Sequence, residues 1–372
     1  MKYVTMCAVA LLTLASTSAC LFLPAIEEDG YVSCVSDDDC AIGRSCAVDV
    51  GLCAPPPWND TAFAQRRAVI VTNPSTIALP IGTAVPVEIG GDNAVLALAE
   101  VGVDARYTHF NDGAWRNVPV SIDRFADRFT VWVPLSRSIA AGAQDVLMYI
   151  EQKTEEGTPT VVEDGASTFS FFDELDDFPT DDAGGDRYVI NAPGAATPVV
   201  GESLINIPDN VGVIWRNGFV PPISLTFKAR VIGLNCEEVF VGVTGADRIG
   251  FNPPSAGFFI DDDLQAYAEV APTSTSNPTP LSAAKAFSET PNALHRFTID
   301  VDGEVVRLSI DGVVFDERSD LRPAFAADAE LFPTVQVGGA CSIDVEAVWI
   351  TPLPATAPTV RAEPQVDLNI TY

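Results

Sequence analysis

Histidine is nearly absent from this chain: 372 residues contain two, His109 and His295. So little imidazole leaves a narrow choice of general bases. Neither histidine stands near a nucleophile motif, so each reads as a strand or surface residue. Basic side chains are also few, 21 Lys and Arg against 51 Asp and Glu. The resulting formal net charge of -30 repels phosphate backbones and excludes nucleic acid as a partner. Beyond the first 20 residues no stretch approaches the roughly 18 apolar residues of a membrane-crossing helix. The chain also lacks a Gly-x-Ser-x-Gly elbow and a His-Glu-x-x-His pair.

What is present begins with an address. Lys2, the apolar run Val4–Leu14 and the small-residue exit Thr17-Ser18-Ala19 have the layout of a secretory signal over residues 1–19. Cys20 follows directly, which resembles the processing site of bacterial lipoproteins; Thr17-Ser18-Ala19 also suits ordinary signal peptidase. Cysteine parity favours the lipid. Of eight cysteines, Cys7 leaves with the signal, and acylation of Cys20 leaves Cys34, Cys40, Cys46, Cys53, Cys236 and Cys341, a set that can pair completely. Acyl chains anchor by about 0.8 kcal/mol per buried methylene. Leu21, rather than Asp, then implies by the same resemblance an outer-membrane lipoprotein on the periplasmic or cell-surface face.

Hydrophobic residues make up 47% of the chain, too many for a disordered one. The length exceeds what one core sustains, which predicts two domains plus a small N-terminal module. That module, residues 20–57, holds Cys34, Cys40, Cys46 and Cys53 spaced C-x5-C-x5-C-x6-C. The spacing lacks C-x2-C knuckles and histidine, so two disulfides are expected rather than zinc, with connectivity open. Cys34, Asp37, Asp39, Cys40, Gly43 and Cys46 resemble a cysteine-rich motif that follows the anchor in many deltaproteobacterial lipoproteins. It reads as a stalk, ending in the stiff Pro55-Pro56-Pro57 linker.

After Trp58 the hydrophobic period is two. Runs such as Arg67–Thr72, Ala84–Ile89, Phe129–Pro134 and Asp145–Ile150, broken by Gly, Pro, Asn and Asp, predict a β-sandwich over 58–171. The features Trp58, Arg66-Arg67, Asn73, Asp104-x-Arg106, Val118-Pro119, Ile122-Asp123, Val131–Leu135 and Ala166–Phe169 leading to Phe172–Phe178 resemble, in this order, the bacterial domain of unknown function 2341. Asp104 and Arg106 share a strand face and read as a salt bridge.

In the C-terminal half, Asp302-Gly303 and Asp311-Gly312 separate alternating runs beginning at His295, a strong hairpin signal. This meander, with the closing run Val345–Ile350, resembles concanavalin-like and laminin-G-type jelly rolls. The expected fold is all-β: two β-sandwich domains, 58–171 and 172–372, the second a jelly roll, after the disulfide-stapled module. The resemblance makes the regions of Cys236 and Cys341 neighbours and predicts a bridge between them. It also implies calcium at a rim, the one cofactor expected, with Asp173, Asp176, Asp177 and Asp261, Asp262, Asp263 as candidate oxygen ligands. Trp215 and Tyr267, with Phe251, are candidate sugar platforms.

Concanavalin-like glycosidases carry a Glu-x-Asp-x-x-Glu strand, and none occurs here. The sequence therefore predicts no catalytic residues, and a lipid-anchored, non-enzymatic surface protein binding carbohydrate or an extracellular protein ligand. A structural component of an envelope or transport assembly is the second reading, and a glycan-active enzyme the third.

Overall fold

Alternation of side chains builds nearly every element. In the strand Ile223–Ile232 the residues Ile223, Leu225, Phe227, Ala229 and Val231 are buried on one face, while Lys228 and Arg230 lie on the other. The structure, a computed structural model, describes residues 34–36, 39–40, 45–47, 52–54, 63, 65–91, 96, 106–111, 114–124, 128–152, 163–175, 178, 187–192, 197–201, 204–233, 236–246, 254–261, 265–271, 285–286, 292–319, 325, 328–362 and 366–367. Cys20 and the signal lie outside them, as do Asp104, Asp176, Asp177, Phe251, Asp262 and Asp263.

Two units are distinguished by their contacts. The first comprises Met1–Thr61 with Phe110–Trp115. Its described core is a hairpin of Ser45–Ala47 and Leu52–Ala54. Two disulfides staple it as expected, and their connectivity, which the spacing leaves open, is Cys34–Cys46 and Cys40–Cys53. Asp39 accepts hydrogen bonds from the backbone N–H of Val35 (2.8 Å) and Ser36 (3.0 Å), which hold its carboxyl below the usual range.

The second unit, Ala62–His109 with Arg116–Tyr372, contains both sandwiches. In the first, Gln65–Thr72 pairs with Gln144–Gln152, and Ala84–Gly90 pairs with Arg128–Pro134, which also pairs with Ser121–Arg124. The two strand–corner–strand segments meet at their corners. At the corners Leu79 and Ile139 exchange both backbone hydrogen bonds, and each corner closes on a glycine with positive φ, Gly82 at +79° and Gly142 at +70°. Asn73, fully buried, ties the corners together. Its amide nitrogen donates to the carbonyls of Ile77, Ile139 and Ala140, and its oxygen accepts from the Ser75 N–H. Arg106 pairs with Glu151 on the neighbouring strand at 2.8 Å, a partner not foreseen in the sequence.

The second sandwich packs two antiparallel sheets over a core that includes Trp215, Phe227, Phe258, Phe297 and Val345. One sheet runs Val199–Val200, Ile205–Ile207, Ser342–Pro352, Ile223–Ile232, His295–Val301, Val306–Ile310, Val313–Arg318. The other runs Tyr188–Asn191, Gly212–Trp215, Phe332–Gly339, Cys236–Thr244, Ser255–Ile260, Gln265–Ala271, Lys285–Ala286. The two Asp-Gly turns form as expected, with Gly303, Asp311 and Gly312 all at positive φ. Gly242 and Gly257 face each other across two strands, and a Cβ on Gly242 would meet Ala256 O at 2.2 Å. Cys341 is disulfide-bonded, and the backbone of Cys236 stands opposite Gly339 on the adjacent strand.

The chain crosses between the sandwiches twice. Phe171–Asp173 adds to the second by pairing with Ser342–Pro352, and Thr359–Ala362 returns to pair with Gln65–Thr72 of the first. The sequence reading places that last strand in the second sandwich. Among the described residues no helix is long and apolar enough to cross a membrane.

Candidate functional site in the seam between the sandwiches

The outward face of Ile223–Ile232 meets the first sandwich, and Lys228 is the residue it presents there. Lys228 lies directly opposite Arg296 on the neighbouring strand. Two cations in that register repel each other. Asp123, from the strand Ser121–Arg124 of the first sandwich, lies between them: 3.3 Å from Lys228 Nζ and 3.5 Å from Arg296 Nε. Arg296 also donates to the Thr130 hydroxyl at 3.2 Å, and Thr130 donates to Glu88 at 3.0 Å. Asp123 is nearly fully buried. Burial pushes its carboxyl above the ordinary range, although the charges of Lys228 and Arg296 act in the opposite direction.

A second carboxylate reaches the same lysine. Lys228 stands opposite Ala347, whereas Ala229 stands opposite Val345, so Glu346 is the extra residue of a β-bulge. The bulge re-aims its side chain, and Glu346 Oε2 lies 3.2 Å from Lys228 Nζ. Glu346 is 30% exposed and Lys228 16%, so this end of the network borders solvent.

Beside the ions stands a cluster of rings. Trp132 meets Phe169 and Trp349 edge-on at 5.6 and 6.2 Å, and Phe169 stacks on Phe172 and Trp349, each at 5.5 Å. The linking segment supplies two of these rings. Asp164 caps the short helix Gly165–Thr168 by accepting from the Ser167 N–H at 2.9 Å. A Cβ on Gly165 would lie 2.1 Å from the Phe172 ring, so only glycine lets that ring rest on the helix. Arg124 and Glu163 close the margin with two hydrogen bonds, 2.5 and 3.1 Å.

The four rings, Asp123, Lys228, Glu346 and the Arg124–Glu163 pair line a cavity of about 390 Å³, which Ser121, Ile122, Glu174 and Ala347 complete. The size falls within the range of small-molecule sites. Half-buried Trp132 and Phe172 contribute apolar faces, and Glu346, Lys228 and the Arg124–Glu163 pair contribute polar groups.

Several candidates from the sequence take other places. Asp173 is not an open calcium ligand: it accepts from the Tyr188 hydroxyl (2.6 Å), Trp215 Nε1 (2.9 Å) and the Leu175 N–H (3.0 Å), and pairs with Arg187. Trp215 is correspondingly no sugar platform; it is buried in the core with its N–H on Asp173. Asp261 shapes a hairpin tip, accepting from the Gln265 N–H at 3.0 Å and the Tyr267 hydroxyl at 2.7 Å. Tyr267 is half-buried there. Asp176, Asp177, Asp262 and Asp263 lie outside the described residues. Of the two histidines, His295 bonds Asp311 through Nδ1 at 2.7 Å, and burial lowers His109 below the usual imidazole range. The seam itself was not foreseen. Most of its residues lie in runs noted above only for the resemblances they carry, Ile122-Asp123, Val131–Leu135, Ala166–Phe169, Phe172–Phe178 and Val345–Ile350.

No family model matches the chain, and no curated protein matches it. Solved structures do resemble it in fold. A laminarinase from Rhodothermus marinus is 12% identical with a TM-score of 0.40, covering 50% of this chain and 96% of its own. An endo-beta-1,3-glucanase from Pyrococcus furiosus is 10% identical with a TM-score of 0.40, covering 50% and 94%. The carbohydrate recognition domain of Emp47p is 10% identical with a TM-score of 0.37, covering 48% and 93%. Enzymes thus stand beside a recognition domain among the structures of similar fold, and the expectation that this protein is not an enzyme is corrected. The missing Glu-x-Asp-x-x-Glu strand excludes one arrangement of carboxylates only, whereas folding here brings Asp123 and Glu346 to one lysine from strands remote in sequence. The fold shown is an all-β chain with a jelly-roll sandwich.

Proposed function

We propose that this chain is an exported, lipid-anchored protein that holds a carbohydrate chain in the seam between its two sandwiches. The observation that carries the reading is the make-up of the cavity. Trp132 and Phe172 offer ring faces to the apolar side of a sugar, while Glu346, Lys228 and Arg124–Glu163 offer acceptors and donors to its hydroxyls. The jelly-roll resemblance of the sequence points the same way. Export and acylation of Cys20 rest on the N-terminal layout and on cysteine parity.

The test is a glycan array on the processed chain, with calcium and again with chelator, followed by analysis of each bound glycan for cleavage products. Saturable binding lost on replacing Trp132 with Ala supports the seam as the site. A blank array in both conditions ends the carbohydrate reading and leaves the envelope-scaffold one. The appearance of shortened products would add a reaction to the binding.

A further inference from the structure

Resting on the carbohydrate reading of the seam, we infer that the cavity selects glycans free of acid groups and turns away uronated, sulfated or sialylated ones. The lining carries four carboxylates, Asp123, Glu163, Glu174 and Glu346, against two bases, Arg124 and Lys228. Both bases are already engaged by those carboxylates. Arg124 holds Glu163 through two hydrogen bonds, and Lys228 lies within 3.3 Å of Asp123 and 3.2 Å of Glu346. A bidentate guanidinium–carboxylate pair is the arrangement by which arginine would otherwise grip an acidic sugar, so Glu163 occupies the place such a ligand would take.

An acidic sugar entering the cavity meets carboxylate oxygens without gaining a cation of its own. At about 4 Å, two like charges in water repel by roughly the free energy of a tenfold change in affinity, and more where solvent is displaced. The formal charge of -30 on the whole chain adds to the barrier at low ionic strength. Neutral hydroxyls carry no such penalty. They donate to Glu346 and Glu163 while the ring faces rest on Trp132 and Phe172. An amine-bearing sugar gains from the same carboxylates.

The experiment compares, on the full processed chain, a neutral glucan tetrasaccharide, a chitosan tetramer and a galacturonan tetramer of equal length. Affinities are measured at low salt and at 1 M sodium chloride. The expected result is that the uronan binds at least about tenfold more weakly than the neutral chain at low salt. The gap narrows in high salt, where the screening length falls to about 3 Å. Glu163→Gln, at an exposed position, releases Arg124 and raises the ratio of uronan to neutral affinity.

Equal or tighter binding of the uronan would overturn the inference while leaving the carbohydrate reading in place. A ratio unmoved by salt and by Glu163→Gln would overturn it too, since shape and not charge would then be excluding the acid. Failure of all three probes to bind would remove the carbohydrate reading itself, and the selectivity with it.

Discussion

Asp123 of the first sandwich lies 3.3 Å from Lys228 of the second, and that contact joins two halves of the chain more than a hundred residues apart in sequence. Asp123 is almost closed off from water while Lys228 reaches toward it, with side-chain exposures of 4% and 16%. The pair is part of a wider set. Arg296 and Glu346 complete it, so the seam is held by charges on four separate strands.

Removing the lysine leaves two carboxylates facing each other without their shared cation. Lys228→Met is expected to cost about 3 kcal/mol, the order found when one partner of a buried ion pair is deleted. Urea unfolding followed by tryptophan fluorescence would measure it. A change below about 0.5 kcal/mol, typical of an exposed pair, would show that the network is solvated.

Asp311 gives the chain an acid-sensitive joint. Burial raises its carboxyl, but the hydrogen bonds from His295 and from the Arg296 N–H, with Coulombic attraction to these two residues, outweigh this and leave it below the ordinary value of 3.8. Its contribution is therefore present above the unfolded value and lost as pH falls through the lower folded one. Asp311→Asn should lower stability at neutral pH and flatten the loss of stability below pH 3.8. Thermal melts between pH 2 and pH 7 would compare the two proteins; parallel curves would contradict the assignment.

Gly165 permits the contact with Phe172. Gly165→Ala drives the ring off the helix and is expected to destabilise by about 1 to 3 kcal/mol, the range for overpacking. Because Phe172 lines the seam, glycan binding should weaken in the same variant. Retained stability together with retained binding would mean that the ring has another place to sit.

Asn73, itself fully buried, serves three carbonyls and one N–H where the two corners meet. Asn73→Ala removes all four bonds, and although Ile139 and Ala140 keep the Leu79 and Ala143 N–H as donors, a loss of about 2 kcal/mol follows from the buried side-chain hydrogen bonds given up. Denaturant midpoints of wild type and variant provide the measure.

Cys20→Ser is expected to abolish incorporation of labelled palmitate and to release the chain from the membrane fraction. Labelling of the variant at the level of the wild type would place the anchor elsewhere.

Much of the fold was legible locally. Val131–Leu135 alternates because one face of the strand must be buried, and Asp302-Gly303 and Asp311-Gly312 turn because they tolerate positive φ. These are properties of neighbours in sequence, and the sequence alone determined them, as it determined the disulfide module from cysteine spacing. Three things were decided only by tertiary structure. Trp215, which reads as an exposed platform, became core because Asp173 offered its N–H a buried acceptor. Thr359–Ala362 returned to the first sandwich, where Gln65–Thr72 accepted it as a neighbour. Glu346 reached Lys228 only through a bulge set by the pairing of two long strands. A period of two tells which face a residue occupies, but it carries no record of the partner strand or its register. The seam needed both, since its rings and charges come from segments that meet only after each sandwich has closed its own core.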